Sequence, residues 1–151
     1  MSNIREDIAK DIVQQLQGIL VPKVALVSRN PIDTDKLSIA QYPAILIRTT
    51  VEDRSDQTQQ TSQLRLAEVE YTIQGFVRAQ SSAVTVNDNI DTQRNTLIEA
   101  ISEKLEEDRT RGGKALNSFV ENISVDDGTI FPLGRVDIVY RVLYKYTRGT
   151  L

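Results

Sequence analysis

"TIFPLGRVDIVYRVLYKYTRGTL" (Thr129–Leu151) is the stretch whose reading organises the chain. From Val136 every second residue is apolar or aromatic: Val136, Ile138, Tyr140, Val142, Tyr144 and Tyr146. That period of two is the signature of a strand with one face in a core. Three of the five tyrosines sit on it. The intervening positions, Arg135, Asp137, Val139, Arg141, Leu143 and Lys145, alternate charge with aliphatics. Such a face is too polar for a core and too apolar for plain solvent. It suits either a subunit interface or a half-wet sheet surface.

The even face needs a cover, and two segments have the spacing to supply it. Ser2–Leu20 carries Ile4, Ile8, Ile12, Val13, Leu16, Ile19 and Leu20 in one helical stripe. Ser2 is a candidate cap, Glu6 and Asp7 suit the positive end of the dipole, and Pro22 stops the helix. Val84–Asp108 repeats the pattern with Ile90, Leu97, Ile98, Ile101 and Leu105. Thr85, Asn87 and Asp88 are candidate caps there, Arg109 and Arg111 favour its negative end, and Gly112-Gly113 terminates it.

Between and after the helices the chain reads as strands. Lys23–Arg29 is short, β-branched and ends at Asn30-Pro31. Pro31–Tyr42 is a loop punctuated by Asp33 and Asp35. Ala44–Thr50 opens with Ala-Ile-Leu-Ile, apolar on both faces, which places it inside the sheet. Val51–Gln63 has one apolar residue in thirteen and reads as a polar hairpin arm. Leu64–Arg78 follows, long enough that part of it should stand beyond the sheet, with bulges expected near Ala67-Glu68 and Gly75. Ser118–Asp126 puts Phe119, Ile123 and Val125 on one parity. The order α-β-β-β-α-β-β predicts a single α+β domain over residues 1–151. Its antiparallel or mixed sheet has about five strands, with two helices on one face.

Composition narrows function. The 151 residues include no Cys and no His, which removes thiol nucleophiles, disulfides, thiolate or imidazole metal ligands and the commonest acid–base side chain. A net charge of −3 carries no basic excess of the kind nucleic-acid binders show. The stretch EEDRTRGGKALN lacks both the upstream glycine and the Ser or Thr of a phosphate loop, and it follows a helix rather than a strand. Asp33-Thr34-Asp35 is not continued by the Gly and Glu of a calcium loop. No catalytic, cofactor or metal site emerges, and the expectation is a protein that is not an enzyme and needs no cofactor. MSNIREDIAKD lacks the start of a signal peptide, and no apolar run reaches membrane-spanning length, so assembly in cytoplasm is expected.

The layout resembles the tail terminator (tail completion) proteins of long-tailed bacteriophages. The resemblance is carried by the leading amphipathic helix, "VPKVALVSR", "QYPAILIRT" entering a strand after a proline, and the polar hairpin. It continues through "EVEYTIQGFVR", the helix "NTLIEAISEKLEED" ending at Gly-Gly, and the closing "GRVDIVYRVLYKYTRG". It covers nearly the whole chain in order and length. It implies a small subunit of a hexameric ring at the head-proximal end of the virion tail, capping the tube, stopping its polymerisation and presenting a docking surface to the neck. The implied partners are other copies of the chain, the tail tube protein and a neck or connector protein, with DNA only passing through the lumen and no membrane. A neck or head-completion ring protein is the nearest alternative, and a small ligand-binding regulatory module the alternative of another class.

Read onto these residues, the candidate subunit and tube contacts are Asp53, Arg54, Asp56, Gln57, Gln59 and Gln60 of the arm and Asp33 and Asp35 of the first loop. Arg141, Leu143 and Lys145 of the last strand complete the set. Arg48, Arg54 and Arg78 are the cations available to line a passage.

Overall fold

The computed structural model describes residues 3–20, 23–30, 41–55, 64–78, 90–127 and 133–147, without the side chains of Ser55, Leu64 and Thr147. Helix α1 (Ile4–Gln17) precedes β1 (Leu26–Ser28), β2 (Ala44–Ser55) and β3 (Leu64–Arg78); α2 (Ile90–Glu106) then leads to β4 (Asn117–Val125) and β5 (Leu133–Thr147). The five strands form one mixed sheet in the order β1-β2-β3-β5-β4, with β1 parallel to β2 and the other neighbours antiparallel. The α+β class and element order read from the sequence are therefore those of the structure.

Both helices lie on the face that the even residues of β5 predict. Val136, Ile138, Tyr140, Val142 and Tyr144 are buried, as are Val69, Tyr71 and Ile73 beside them on β3. Helix α1 covers the β1–β2 side with Ile8, Ala9, Ile12 and Leu16, and α2 covers β3, β5 and β4 with Leu97, Ile101 and Leu105. Each buried tyrosine hydroxyl has a partner, as such groups require. Tyr71 donates to the Arg5 carbonyl (2.8 Å), Tyr140 to Ser118 Oγ (2.6 Å) and Tyr144 to Glu52 (2.5 Å).

Several boundaries differ from the sequence reading for local reasons. Asn3, rather than Ser2, caps α1, its side chain accepting the Glu6 N–H at 3.2 Å. Gly18 ends that helix before Pro22 is reached, which leaves Leu20 exposed instead of in the apolar stripe. The candidate caps of α2, Thr85, Asn87 and Asp88, lie outside the described residues. The polar stretch expected to form an arm from Val51 continues β2 through Ser55, paired with Leu66–Glu70; residues 56–63 are not described.

The bulges fall elsewhere than expected. Strand β3 pairs with β5 without interruption from Leu64↔Thr147 to Arg78↔Leu133, so no part of it stands beyond the sheet and neither Ala67-Glu68 nor Gly75 is irregular. The register shifts are in its neighbours: between Thr49 and Val51 on β2, and between Val120 and Asn122 on β4. A residue inserted in a strand reverses the parity of everything after it. Phe119 therefore faces away from the helices, while Ile123 and Val125 lie on the helix side at the sheet edge, all three exposed.

Gly75 has a packing role instead. A Cβ there would lie 2.7 Å from Leu97 Cδ2 and 2.8 Å from Val136 Cγ2, so its absence lets α2 settle onto β3. The turn after α2 is held by Arg111, which is fully buried and adopts a left-handed conformation (φ 49°). Its guanidinium donates from Nε to the Asp108 carbonyl (2.7 Å) and from Nη2 to the carbonyls of Leu105 (2.9 Å) and Asp108, and it pairs with Asp11 of α1 at 3.3 Å. One side chain thus satisfies carbonyls that the helix end leaves without partners and joins the two helices.

These contacts predict the stability of three variants. Arg111→Ala should cost about 3 kcal/mol in denaturant unfolding, because it orphans buried carbonyls and the Asp11 carboxylate together. Arg111→Lys should recover less than half of that loss, since one ammonium cannot span the same acceptors. Gly75→Ala should cost roughly 1–3 kcal/mol by overpacking against Leu97 and the stiff Val136 side chain.

Candidate assembly surface

With both helices on one side, the other face of the sheet has no helical cover among the described residues. It is formed by the even residues of β3 and the odd residues of β5, joined by Leu46, Arg48, Val51 and Asp53 of β2 and Phe119 of β4. Asp53, Glu68 and Leu143 share one row across three strands, and Val51, Glu70, Arg141 and Phe119 share the next. Phe119 and Val51 are about half exposed at 48% and 47%, whereas Phe76 is buried at 8%.

Arg141 is the electrostatic hub of this face. Its Nε lies 2.5 Å from Glu121 Oε2, its Nη2 3.1 Å from Glu70 Oε1 and its Nη1 3.6 Å from Glu68 Oε1. The Thr50 hydroxyl, at the β2 bulge, donates to Glu70 at 2.7 Å. One guanidinium therefore holds three carboxylates from two flanking strands, and the cluster retains an excess of negative charge. Lys145 is exposed two residues further along β5.

The β2 bulge sends Glu52 and Arg54 to the other, helix-bearing side. There the Glu52 side chain, 9% exposed, accepts from Tyr144 Oη (2.5 Å) and Arg54 Nε (2.7 Å) and lies 3.3 Å from Arg5 Nη1. The Arg54 guanidinium sits 4.4 Å above the centre of the Tyr146 ring, a cation–π contact. Burial pushes the Glu52 carboxyl up, but the hydrogen bonds from Tyr144 and Arg54 and the charges of Arg5 and Arg54 outweigh it and hold the group below its ordinary value. Burial and the adjacent Glu52 push the Tyr144 hydroxyl up to about 12.

The structure thus brings Asp53, Arg141, Leu143 and Lys145 together on the helix-free face and places Arg54 on the opposite one. Asp33, Asp35, Asp56, Gln57, Gln59 and Gln60 lie outside the described residues. The three passage-lining candidates do not share a surface either: Arg48 and Arg78 are on the helix-free face and Arg54 is not. Sequence reasoning missed Glu52, Glu68, Glu70 and Glu121. Glu68 and Glu70 were legible in principle from the alternation of β3, but the parity of Glu52 and Glu121 depends on bulges.

Among the described residues no group of three or more acidic side chains is placed to hold a metal ion. A groove of about 200 Å3 between the end of α1 and α2 is lined by Ile19, Leu20, Ala100, Glu103, Lys104 and Glu107 and is open to solvent. The chemistry available on the helix-free face is recognition by shape, apolar contact and charge.

No protein-family model matches this sequence, and no curated protein matches it. Among solved structures, a chain in the virion of a native gene transfer agent particle is similar, with a TM-score of 0.55 and 12% identity. The match covers 97% of this chain and 100% of that one. At that identity the likeness shows a shared fold over essentially the full length of both chains.

The Glu52 cluster yields a pH prediction. A carboxyl held below its ordinary 4.5 adds stability that is present above that pH and lost as pH falls through the folded-state value. Glu52→Gln should therefore be less stable than the parent at neutral pH, and the difference between the two should shrink as the medium is acidified below about 4.5. Urea midpoints measured across that range test it; a constant gap would place the stabilising charge elsewhere.

Proposed function

We propose that this chain is a structural protein of a virion, and within that class a tail terminator that closes the head-proximal end of a tail tube. The observation that carries the coarser reading is the likeness, over the full length of both chains, to a chain in the virion of a gene transfer agent particle. The finer reading rests on the order and character of the elements, from the leading amphipathic helix to the Tyr-bearing closing strand, which resemble those of tail terminators.

In this reading the chain acts by occupying a surface. Copies assemble into a ring, and closed cyclic symmetry requires two different patches on each subunit. The helix-free face, with Arg141, Leu143 and Lys145, and the far end of β2–β3–β5, with Asp53 and Arg54, are the surfaces available for contacts to neighbours and tube. Charge complementarity would give such contacts specificity more than affinity. DNA passing through the ring needs no tight binding, in keeping with a chain of net charge −3.

Electron microscopy of particles made without this gene tests the proposal. Overlong or irregular tails beside detached, DNA-filled heads are the expected result. Tails of normal length that fail to join heads would favour a neck protein. Intact infectious particles would refute both readings and return attention to ligand binding.

A further inference from the structure

We propose that the two edges of the sheet, β4 of one copy of this chain and β1 of the next, pair antiparallel and continue the sheet from subunit to subunit. Such a contact supplies the two unlike patches that a closed ring needs, and it rests on the ring proposed above. The partner is a second copy of the chain, joined head to tail rather than about a twofold axis.

Apolar exposure is concentrated at the β4 edge. Among the described residues the exposed large hydrophobics are Leu20, Val51, Leu116, Phe119, Ile123 and Val125, and the last four fall between Leu116 and Val125. Phe119 lies on the helix-free face; Ile123 and Val125 pair with the buried Ile138 and Val136 and so lie on the helix side. A partner laid on one face would leave the other set in water, whereas a strand added to the edge projects side chains to both. Backbone groups are available too. The Asp126 N–H donates to the Arg135 carbonyl of β5 (3.1 Å), so by alternation Ile123 and Val125 direct theirs to the open edge. The strand has none of the lysines or prolines that guard edges; its one charged residue, Glu121, is at the bulge, and Asn122–Val125 pair regularly beyond it.

Strand β1 fits that edge in direction and facing. It lies at the opposite margin of the sheet and runs opposite to β4, so a copy that continues the sheet presents it antiparallel. Two edges related in this way, by a half-turn about the sheet normal, present the same alternation outward. Val27, paired with the buried Ile45 on the helix side, therefore directs its backbone outward as Ile123 does. Setting Val27 of the neighbour opposite Ile123 places Leu26 opposite Ser124 and Ala25 opposite Val125, with Lys23 beside Asp127 and Arg29 toward Glu121.

Charge selects this pairing over a symmetric one. The stretch Asn117–Asp127 carries Glu121, Asp126 and Asp127 and no Lys or Arg; Lys23–Asn30 carries Lys23 and Arg29 and no Asp or Glu. Two β4 strands placed together would gather the carboxylates of both copies, where β1 brings cations instead. Partners within the subunit temper the effect: Arg141 holds Glu121 at 2.5 Å, Arg94 holds Asp126 at 2.8 Å and Glu6 holds Arg29 at 2.6 Å. Electrostatics therefore sets partner and register, while strength comes from apolar burial and backbone hydrogen bonds. A paired segment of about five residues is weak alone; ring closure, in which every subunit makes the contact twice, multiplies it.

Because the chain has no cysteine, introduced pairs report the contact directly. On mild oxidation at the highest soluble concentration, an equimolar mixture of Val27→Cys and Ile123→Cys chains should give covalent dimers, and the double variant a ladder of larger species. Neither single variant alone should crosslink. Leu26→Cys with Ser124→Cys repeats the test on the other face of the sheet, and covers the case in which Val27→Cys fails to fold. Adding Ile123→Lys at that exposed edge should lower the Leu26–Ser124 crosslinked fraction at least about fivefold. No crosslink in either pair from folded variants would overturn the contact, as would Ile123→Cys chains joining one another as readily as the mixture does. Overlong tails in the gene-deletion experiment without a ladder would refute this contact and leave the terminator reading standing; a ladder from a chain whose loss leaves tails normal would do the reverse.

Discussion

The pairing of β3 with β5 is the constraint on which the rest of the structure depends. Fifteen residues of each strand run in unbroken antiparallel register. With a side-chain period of two, that register decides which residues enter the core and which are left outside. Val69, Tyr71 and Ile73 meet Val142, Tyr140 and Ile138 on one side; Glu68, Glu70 and Thr72 meet Leu143, Arg141 and Val139 on the other. The helices then have one apolar platform to cover, and the remaining face stays open because no third helix exists among the described residues.

The flanking strands obey the same rule with one change each. A single extra residue near Thr50 on β2 and another near Glu121 on β4 turn the following positions over. On β2 the consequence is a buried carboxylate: Glu52 comes to the helix side, where Arg5, Arg54 and Tyr144 converge on it. On β4 the consequence is exposure: Ile123 and Val125 reach the helix side beyond the cover of α2, and Phe119 is left on the open face. The bulges thus create the two features that most distinguish the surface from a plain amphipathic sheet.

Charge is handled differently on the two sides. On the helix side, Arg111 and Arg94 are buried and engage carbonyl groups as well as carboxylates, Arg94 bonding both the Asp126 carbonyl (3.1 Å) and its carboxylate (2.8 Å). These contacts tie α2 to the end of β4 and to α1, most of the donors of each buried guanidinium meeting a carbonyl or carboxylate oxygen. On the open side, Arg141 binds three carboxylates at the surface, where water screens each pair and the stability gained is small. Such a cluster shapes the field that a partner meets more than it supports the fold.

The sequence by itself determined the element order, the two helical stripes and the buried parity of β5, because each depends on periodicity between near neighbours. Residues from Val136 to Tyr144 announced their face without knowledge of any partner. It also marked Arg141, Leu143 and Lys145 as sharing a surface, for the same reason. Only the tertiary structure decided which strands are neighbours, where the ladder shifts, and so the side taken by Glu52, Arg54, Phe119 and Ile123. Those outcomes come from pairing between segments distant in the chain, which no local pattern encodes. The burial of Arg111 belongs with them: a basic residue at a helix end reads as solvent-exposed until Asp11, a hundred positions earlier, is brought within 3.3 Å of it.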